Sequence, residues 1–248
     1  MLFAILCAAC QIDLKRIIAY GSVSHMSLVT LCIFLGTQSG LESAMIMMLG
    51  HGFVSSGLFI LIGSLYERYH TRNIRYYGGL YKLLPRFGTL FLLFILFDIG
   101  VPGSPAFVAE FVALVSITQE SAVLAVLCSI PIIIGAGVSL LLASRVLFGF
   151  NEKRYLVSMP VQLTNFLYWC ELQMPAVFKT FVQKDPNIVY VKNASIVVPK
   201  TFDLLPHEVF VLLCLFGGSF FLGVYPQLFL TIFTQDLELI LQNVAFFF

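Results

Sequence analysis

Residues 17–36, 44–65, 122–148 and 208–232 each run for 20 or more positions almost without charge. Nothing else constrains the chain as strongly. About 20 such residues, coiled as a helix, cross the ~30 Å hydrocarbon core of a bilayer. In hydrocarbon every backbone N–H and C=O needs a partner within the protein, so the segments that span are helices. Composition agrees: of 248 residues 59% are hydrophobic and 11% charged, with mean hydropathy +0.95, against roughly 25% charged residues in soluble domains. The sequence predicts an all-α polytopic membrane protein.

The stretch 87–118 is different. Two apolar halves, FGTLFLLFILF and AFVAEFVALVSI, flank Asp98–Pro105, which contains Gly100, Pro102, Gly103 and Pro105. Each half rises only ~16–18 Å as a helix, too little to cross alone. The halves form either a re-entrant hairpin or one discontinuous helix, and loop charge decides between them. Arg68, Arg72, Arg75, Lys82 and Arg86 lie before this stretch; Lys153, Arg154, Lys179, Lys184, Lys192 and Lys200 follow the next span. Both clusters fall on one side of the membrane only if 87–118 counts as a single crossing. A discontinuous helix is therefore expected, with Pro102, Gly103 and Pro105 as its break, facing protein or a wet cavity.

Met1 opens directly into MLFAILCAAC. These ten residues rise ~15 Å, about half a bilayer, so the chain is expected to begin inside a span, with no removable targeting segment. The organisation predicted is about five transmembrane helices plus a partial N-terminal one. Residues 1–148 form the helical module and 208–248 a final span and tail. Segment 149–207, with Pro160, Pro175, Pro186 and Pro199 among its apolar stretches, reads as an interfacial loop or insertion on the basic side. The sequon Asn193-Ala194-Ser195 there is taken as chance.

Glu110 is the candidate site residue that stands out, because an ionised carboxylate in hydrocarbon costs at least ~2.5–3.5 kcal/mol. Such a group persists where protein or water surrounds it, which points to an ion or proton path. His51, flanked by Gly50 and Gly52, and His25, with Ser22, Ser24 and Ser27 within a turn, extend the argument. The glycines allow close helix approach and the serines offer a hydroxyl chain. Each group also has a plainer reading as a polar side chain satisfied by a neighbouring helix. Lys15 reads as an interfacial lysine whose head reaches toward headgroups, and Glu42 and Asp98 as residues at span ends. Neither histidine has partners at metal-ligand spacing, so no metal is expected. Cysteines Cys7 and Cys10 have CxxC spacing but no second pair, and read as small buried hydrophobes. No Walker loop, dinucleotide fingerprint, haem motif or nucleophile triad occurs, and no basic aromatic patch suggests nucleic acid. The 25 phenylalanines fit an AT-rich, organellar genome.

Four segments carry a family resemblance: CQIDLKRIIAYGSVSHM (10–26), GHGFVSSGLFILIGSLYERYHTR (50–72), VPGSPAFVAEF (101–111) and DLLPHEVFVLLCLFGGSFFLGVYPQ (203–227). In order and content they resemble the subunit-4 family of NADH dehydrogenase, antiporter-like proton-pumping subunits of respiratory complex I. The resemblance implies the C-terminal part of a fourteen-helix antiporter-like fold, with Glu110 on the family's broken helix. It implies proton-transfer roles for Glu110 (the glutamate of FVGEF), His51 (the histidine of AHG) and His25 (that of SHM). Lys15, the lysine of QTDLK, is implied less strongly. Ala109 and Gly50 depart from the family glycine and alanine, and 149–207 exceeds the family's short connection. The N-terminal half, with its buried lysines, lies outside the chain. The expectation is a split subunit: an N-terminal fragment on a separate chain, with antiporter-like subunits 2 and 5, accessory subunits and lipid as further partners. No cofactor is expected in this chain; flavin, iron–sulfur clusters and quinone belong to other subunits. The implied setting is the mitochondrial inner membrane or, alternatively, a bacterial inner membrane. Rival readings are an Mrp-type sodium/proton antiporter subunit, or a fragment that fills the membrane arm without pumping.

Overall fold

The computed structural model describes residues 1–149, 188–190, 197–199 and 203–233. Its helices are α1 (Leu2–Cys10), α2 (Leu14–Leu35), α3 (Gln38–Tyr69), the short α4 (Leu80–Leu83), α5 (Pro85–Ile99), α6 (Pro105–Glu120), α7 (Ala122–Leu147) and α8 (Pro206–Val224). Four of them, α2, α3, α7 and α8, are long and apolar enough to cross a membrane. A two-stranded antiparallel ribbon, β1 (Ile188–Tyr190) with β2 (Val197–Pro199), pairs Val189 with Val198. Sequence reasoning had not separated this β-branched ribbon from the long basic-side segment around it. Most of that segment, including the sequon and Cys170, lies outside the described residues, as does the tail beyond 233.

Helices α5 and α6 are the two halves of the interrupted stretch, and α3 shows how they lie. A side chain built at Gly40 of α3 would meet Ser116, and one at Gly50 would meet Pro105. One at Gly57 would meet the ring of Phe94. Moving along α3 in one direction thus moves along α6 and then α5 in the other. The halves run end to end antiparallel to α3, forming one discontinuous crossing rather than a hairpin.

The break is stitched by local chemistry. Gly100 adopts a left-handed conformation (φ 85°) and ends α5, with the Val101 N–H donating to the Leu96 carbonyl at 3.2 Å. Ser104, fully buried, caps α6 by accepting the Phe107 N–H at 3.2 Å. Pro105 follows at the first helical position, where no N–H is wanted. Gly103 is also left-handed (φ 96°). Its carbonyl and Ser104 lie against Gly223 of α8, where a Cβ would collide with backbone. The final helix ends at Val224, earlier than the apolar window suggested. Pro226 lacks an N–H and disfavours helix at Tyr225, and a separate helical run covers 226–233.

Two apolar cores sandwich a polar middle. One, on the basic side, joins Leu14–Ile18 of α2, Val54–Leu65 of α3, Phe87–Phe97 of α5 and Leu142–Leu147 of α7, with Leu212 of α8. The other joins Leu28–Cys32, Ala44–Met47, Ala109–Ile117 and Ala125–Cys128 of α2, α3, α6 and α7. Between them, on each helix, come His25, His51, the break and Pro131.

The basic-side ends are pinned together. Arg68 of α3 grips Glu208 of α8 through both guanidinium nitrogens, at 2.7 and 3.4 Å. Asp203, just before α8, accepts the N–H groups of Arg86 and Phe87 at 2.8 and 3.0 Å, capping α5. At the start of α2, the Leu14 N–H donates to the Arg72 carbonyl at 2.9 Å, and Ile74 returns the bond to Ile12.

Gly223→Ala is expected to destabilise the assembled protein by ~1–3 kcal/mol, because it forces α8 off the break. Gly217→Ala, with open space around it, should be neutral or slightly stabilising. Thermal denaturation of the membrane-extracted complex compares the two. Ser104→Ala, which removes the cap of α6, should cost ~1 kcal/mol in the same measurement.

Candidate functional site

His25 sits mid-way along α2 and His51 mid-way along α3, and their ring centroids are 5.3 Å apart. Gly50 lets α3 close onto Pro105, which brings His51 beside the break. Glu110, one and a half turns into α6, is 8% exposed and points back toward the break, its Oε2 close to Gly100. His25 Nδ1 lies 3.4 Å from Glu110 Oε1. The three ionisable groups singled out from sequence therefore meet in one cluster, with Glu110 buried and the two histidines half-buried.

A fourth group was misjudged. Asp98 was read as a residue at a span end, but that end is the end of a half-span and lies mid-membrane. Its Oδ1 is 3.8 Å from His25 Nε2, and its Oδ2 accepts a hydrogen bond from Ser139 Oγ of α7 at 3.2 Å. The signal was present: a half-helix too short to cross must finish inside the membrane, and Asp98 is its penultimate residue. Of the broken-helix residues, Pro105 touches α3, Gly103 touches α8, and Pro102 lies in the turn between the halves.

Lys15 is not part of this cluster. It is exposed in the first turn of α2, beside a groove lined by Phe59, Ile62, Gly63, Tyr66 and Arg72. Ten residues separate it from His25, ~15 Å along the helix. Glu42 does sit at a span end, accepting from Gln38 at 3.2 Å. Of the serines near His25, Ser27 bonds back to its own helix at Ser24, and Ser22 Oγ is buried without a partner. Only Ser24 lines the cavity beside the imidazole.

Three small cavities adjoin the cluster. One of about 30 Å³ touches His25, Asp98, Glu110, Ser24, Pro131 and Ser139. A second of about 20 Å³ extends past Asp98 and Ser139 along Ile17, Leu58, Ile95 and Leu142. A third, about 10 Å³, lies between the two histidines and Asp98. A water fits in ~10–15 Å³ of such space where polar partners are offered. Pro131, inside α7, lines the first of these cavities and leaves the carbonyl one turn earlier in that helix without its usual donor.

No lysine or arginine side chain lines these cavities. Among the described side chains, protonated imidazole supplies positive charge beside the two carboxylates, and the Met1 terminus also borders the cavity next to Glu110. Buried carboxylates must be neutralised by a proton or a partner, so the cluster's charge is set by how many protons it holds. The arrangement can exchange protons between carboxyl and imidazole over short gaps. Among the described residues, no group of three or more His, Cys, Asp or Glu side chains is arranged to hold a metal.

The chain's relatives bear on this geometry. Residues 1–135 match the profile of a family described as NADH:quinone oxidoreductase/Mrp antiporter, transmembrane. The chain is 36% identical over 236 residues to NADH-ubiquinone oxidoreductase chain 4 of Marchantia polymorpha, covering 95% of this chain and 39% of that protein. It is 40% identical over 149 residues to NADH-quinone oxidoreductase subunit M of Rhodobacter capsulatus, covering 60% of this chain and 29% of that one. The chain thus spans about two-fifths or less of the length of these curated relatives. Among solved structures, it superposes on a chain of respiratory complex I from Thermus thermophilus with TM-score 0.71 at 24% identity, covering 97% of this chain and 42% of that one. It superposes on a chain of the Mrp complex from Dietzia sp. with TM-score 0.71 at 19% identity, covering 95% and 44%. These likenesses establish the antiporter-like membrane fold, and the profile match covers more than half of the sequence: the chain belongs to the NADH:quinone oxidoreductase/Mrp antiporter transmembrane family.

Proposed function

We propose that this chain is the C-terminal, proton-translocating part of a chain-4-type subunit in the membrane arm of NADH:ubiquinone oxidoreductase. The observation that carries the reading is the cluster of buried Glu110 with half-buried His25 and His51 at a helix break, flanked by cavities large enough for water. Glu110 is the terminal proton site of this part. His25 and His51 relay protons between it and ionisable groups supplied by the rest of the subunit, whose N-terminal helices complete the path. That remainder is proposed to assemble as a separate N-terminal fragment, beside antiporter-like subunits 2 and 5 and accessory subunits. Flavin, iron–sulfur clusters and quinone sit in other subunits, and the setting is the mitochondrial inner membrane. Lys15 keeps a weaker place in the proposal, at the basic-side edge of the path.

The LYERYHTR stretch favours this reading over the antiporter one, since it belongs to the sequence features shared with chain 4. In the structure it clamps the fold: Arg68 holds Glu208, and Arg72 stacks over Tyr66 at 4.3 Å from the ring centroid. The equal structural similarity to the Mrp complex keeps a sodium/proton antiporter subunit as the second reading. A purely structural filler fits least well, because three or more ionisable groups at mid-membrane are costly to retain.

Glu110→Gln removes the titratable proton and keeps the volume. Assembly should be preserved, while proton transfer through this subunit slows by about a hundredfold, within the usual range for losing a general acid. Proton release per electron, measured in vesicles holding the complex during NADH oxidation, should fall. A normal ratio in the variant removes the proposed role. Replacing sodium by choline should leave wild-type pumping unchanged; strict dependence on sodium would favour the antiporter reading.

A further inference from the structure

We propose that Asp98 is a second, half-buried proton-exchange carboxylate, opening toward the basic side of the membrane as Glu110 opens away from it. The inference rests on the proposed proton-translocating function and names a further group within that site. Three independent features of the structure converge on it.

The first is the placement of His25. Its two ring nitrogens face different carboxylates, Nδ1 toward Glu110 at 3.4 Å and Nε2 toward Asp98 at 3.8 Å. An imidazole held this way can take a proton on one edge and release it from the other. A protonated Glu110 gives its proton to Nδ1 of neutral His25, breaking O–H and forming N–H. The imidazolium then passes its Nε2 proton to the Asp98 carboxylate, leaving Glu110 ionised, Asp98 protonated and His25 in the other tautomer. Rotation of the ring, or exchange through water, restores the starting tautomer. Both gaps exceed the ~2.7–3.2 Å of a formed hydrogen bond, so each transfer needs a small approach of the ring or one bridging water.

The second is the direction of the cavities. The one that continues past Asp98 is lined by Ile17 and Ile18, Leu58, Ile95 and Leu142. On α2 these precede His25, on α3 they follow His51, on α5 they precede Asp98, and on α7 they follow Pro131. All four displacements lead toward the end that carries Arg68, Arg72 and Arg86. The cavity beside Glu110 instead reaches Leu28, which lies the other way along α2. Asp98 and Ser139 border both cavities, at the junction.

The third is the polarity of that junction. In the cavity leading to the basic side, Asp98 and Ser139 supply the only side-chain polar atoms. A water there finds the carboxylate and the hydroxyl as its two partners, the minimum that a buried water needs. Asp98 is thus the ionisable side chain that borders the cavity extending in that direction.

The test uses the assembled, pumping complex with Asp98→Asn, Asp98→Glu and Glu110→Gln made in parallel. Asparagine keeps the size and the acceptor for Ser139 but cannot take up a proton. Asp98→Asn should slow proton transfer through this subunit by about tenfold or more and so lower proton release per NADH, whereas Asp98→Glu should recover most of it. Normal pumping in Asp98→Asn, or equal losses in both Asp98 variants, overturns the inference. If Glu110→Gln also pumps normally, the proton-translocating reading itself fails; if only Asp98→Asn does, that reading stands without this group. Should the asparagine variant not assemble, infrared difference spectra of turning-over wild type and Asp98→Glu decide. A carboxylic C=O band displaced by the substitution supports proton uptake at this position, and identical spectra overturn it.

Discussion

Hydrocarbon offers no partner to a free backbone amide or carbonyl, and the interruption between α5 and α6 creates several. The fold is arranged around that demand. Ser104 and the left-handed Gly100 satisfy part of it locally. On one side Gly50 brings α3 against Pro105, and on the other Gly223 brings α8 against Gly103 and Ser104. Lipid is thereby kept from the break. Wrapping it between two long helices also creates the one layer of the bundle where polar side chains can reside at mid-membrane depth. The break and the ionisable cluster therefore share one cause.

Within that layer, the balance of charge is decided by protons. Two carboxylates and two imidazoles face one another with no lysine or arginine side chain among the lining residues. Each proton added at one group changes the electrostatic cost of protonating the next, since the interaction between charges a few ångströms apart is large in a dry setting. Movement of a proton along Glu110, His25 and Asp98 thus redistributes charge without changing the total. An input of charge from elsewhere in the subunit would be felt as a shift in where the proton rests.

The sequence made most of this architecture legible for identifiable reasons. Charge-free runs set α2, α3, α7 and α8, and loop charge required that the broken stretch cross once, as the register along Gly40, Gly50 and Gly57 bears out. Glu110, His25 and His51 were visible because each interrupts an apolar run. Asp98 was not, because a carboxylate at the end of a run resembles any span terminus unless the run is recognised as half a span. Ser139 was hidden among the many small polar residues that helices in lipid tolerate. The ends of α8 were misread for another reason: apolar character continues past Val224, while Pro226 breaks the helix irrespective of polarity.

The basic-side clamp gives the break a mechanical meaning. Asp203 places a carboxylate on the first N–H groups of α5, where the helix dipole also favours negative charge. The adjoining pair of Arg68 and Glu208 is bidentate, a geometry that resists rotation as well as separation. Helix α5 is therefore fixed at its N-terminus to α3 and α8, and at its C-terminus it meets a turn held by two left-handed glycines. The two halves are joined through Ile99–Ser104, where Gly103 and Ser104 pack against α8. Asp98 rides on the first half and Glu110 on the second, with His25 on a separate helix between them.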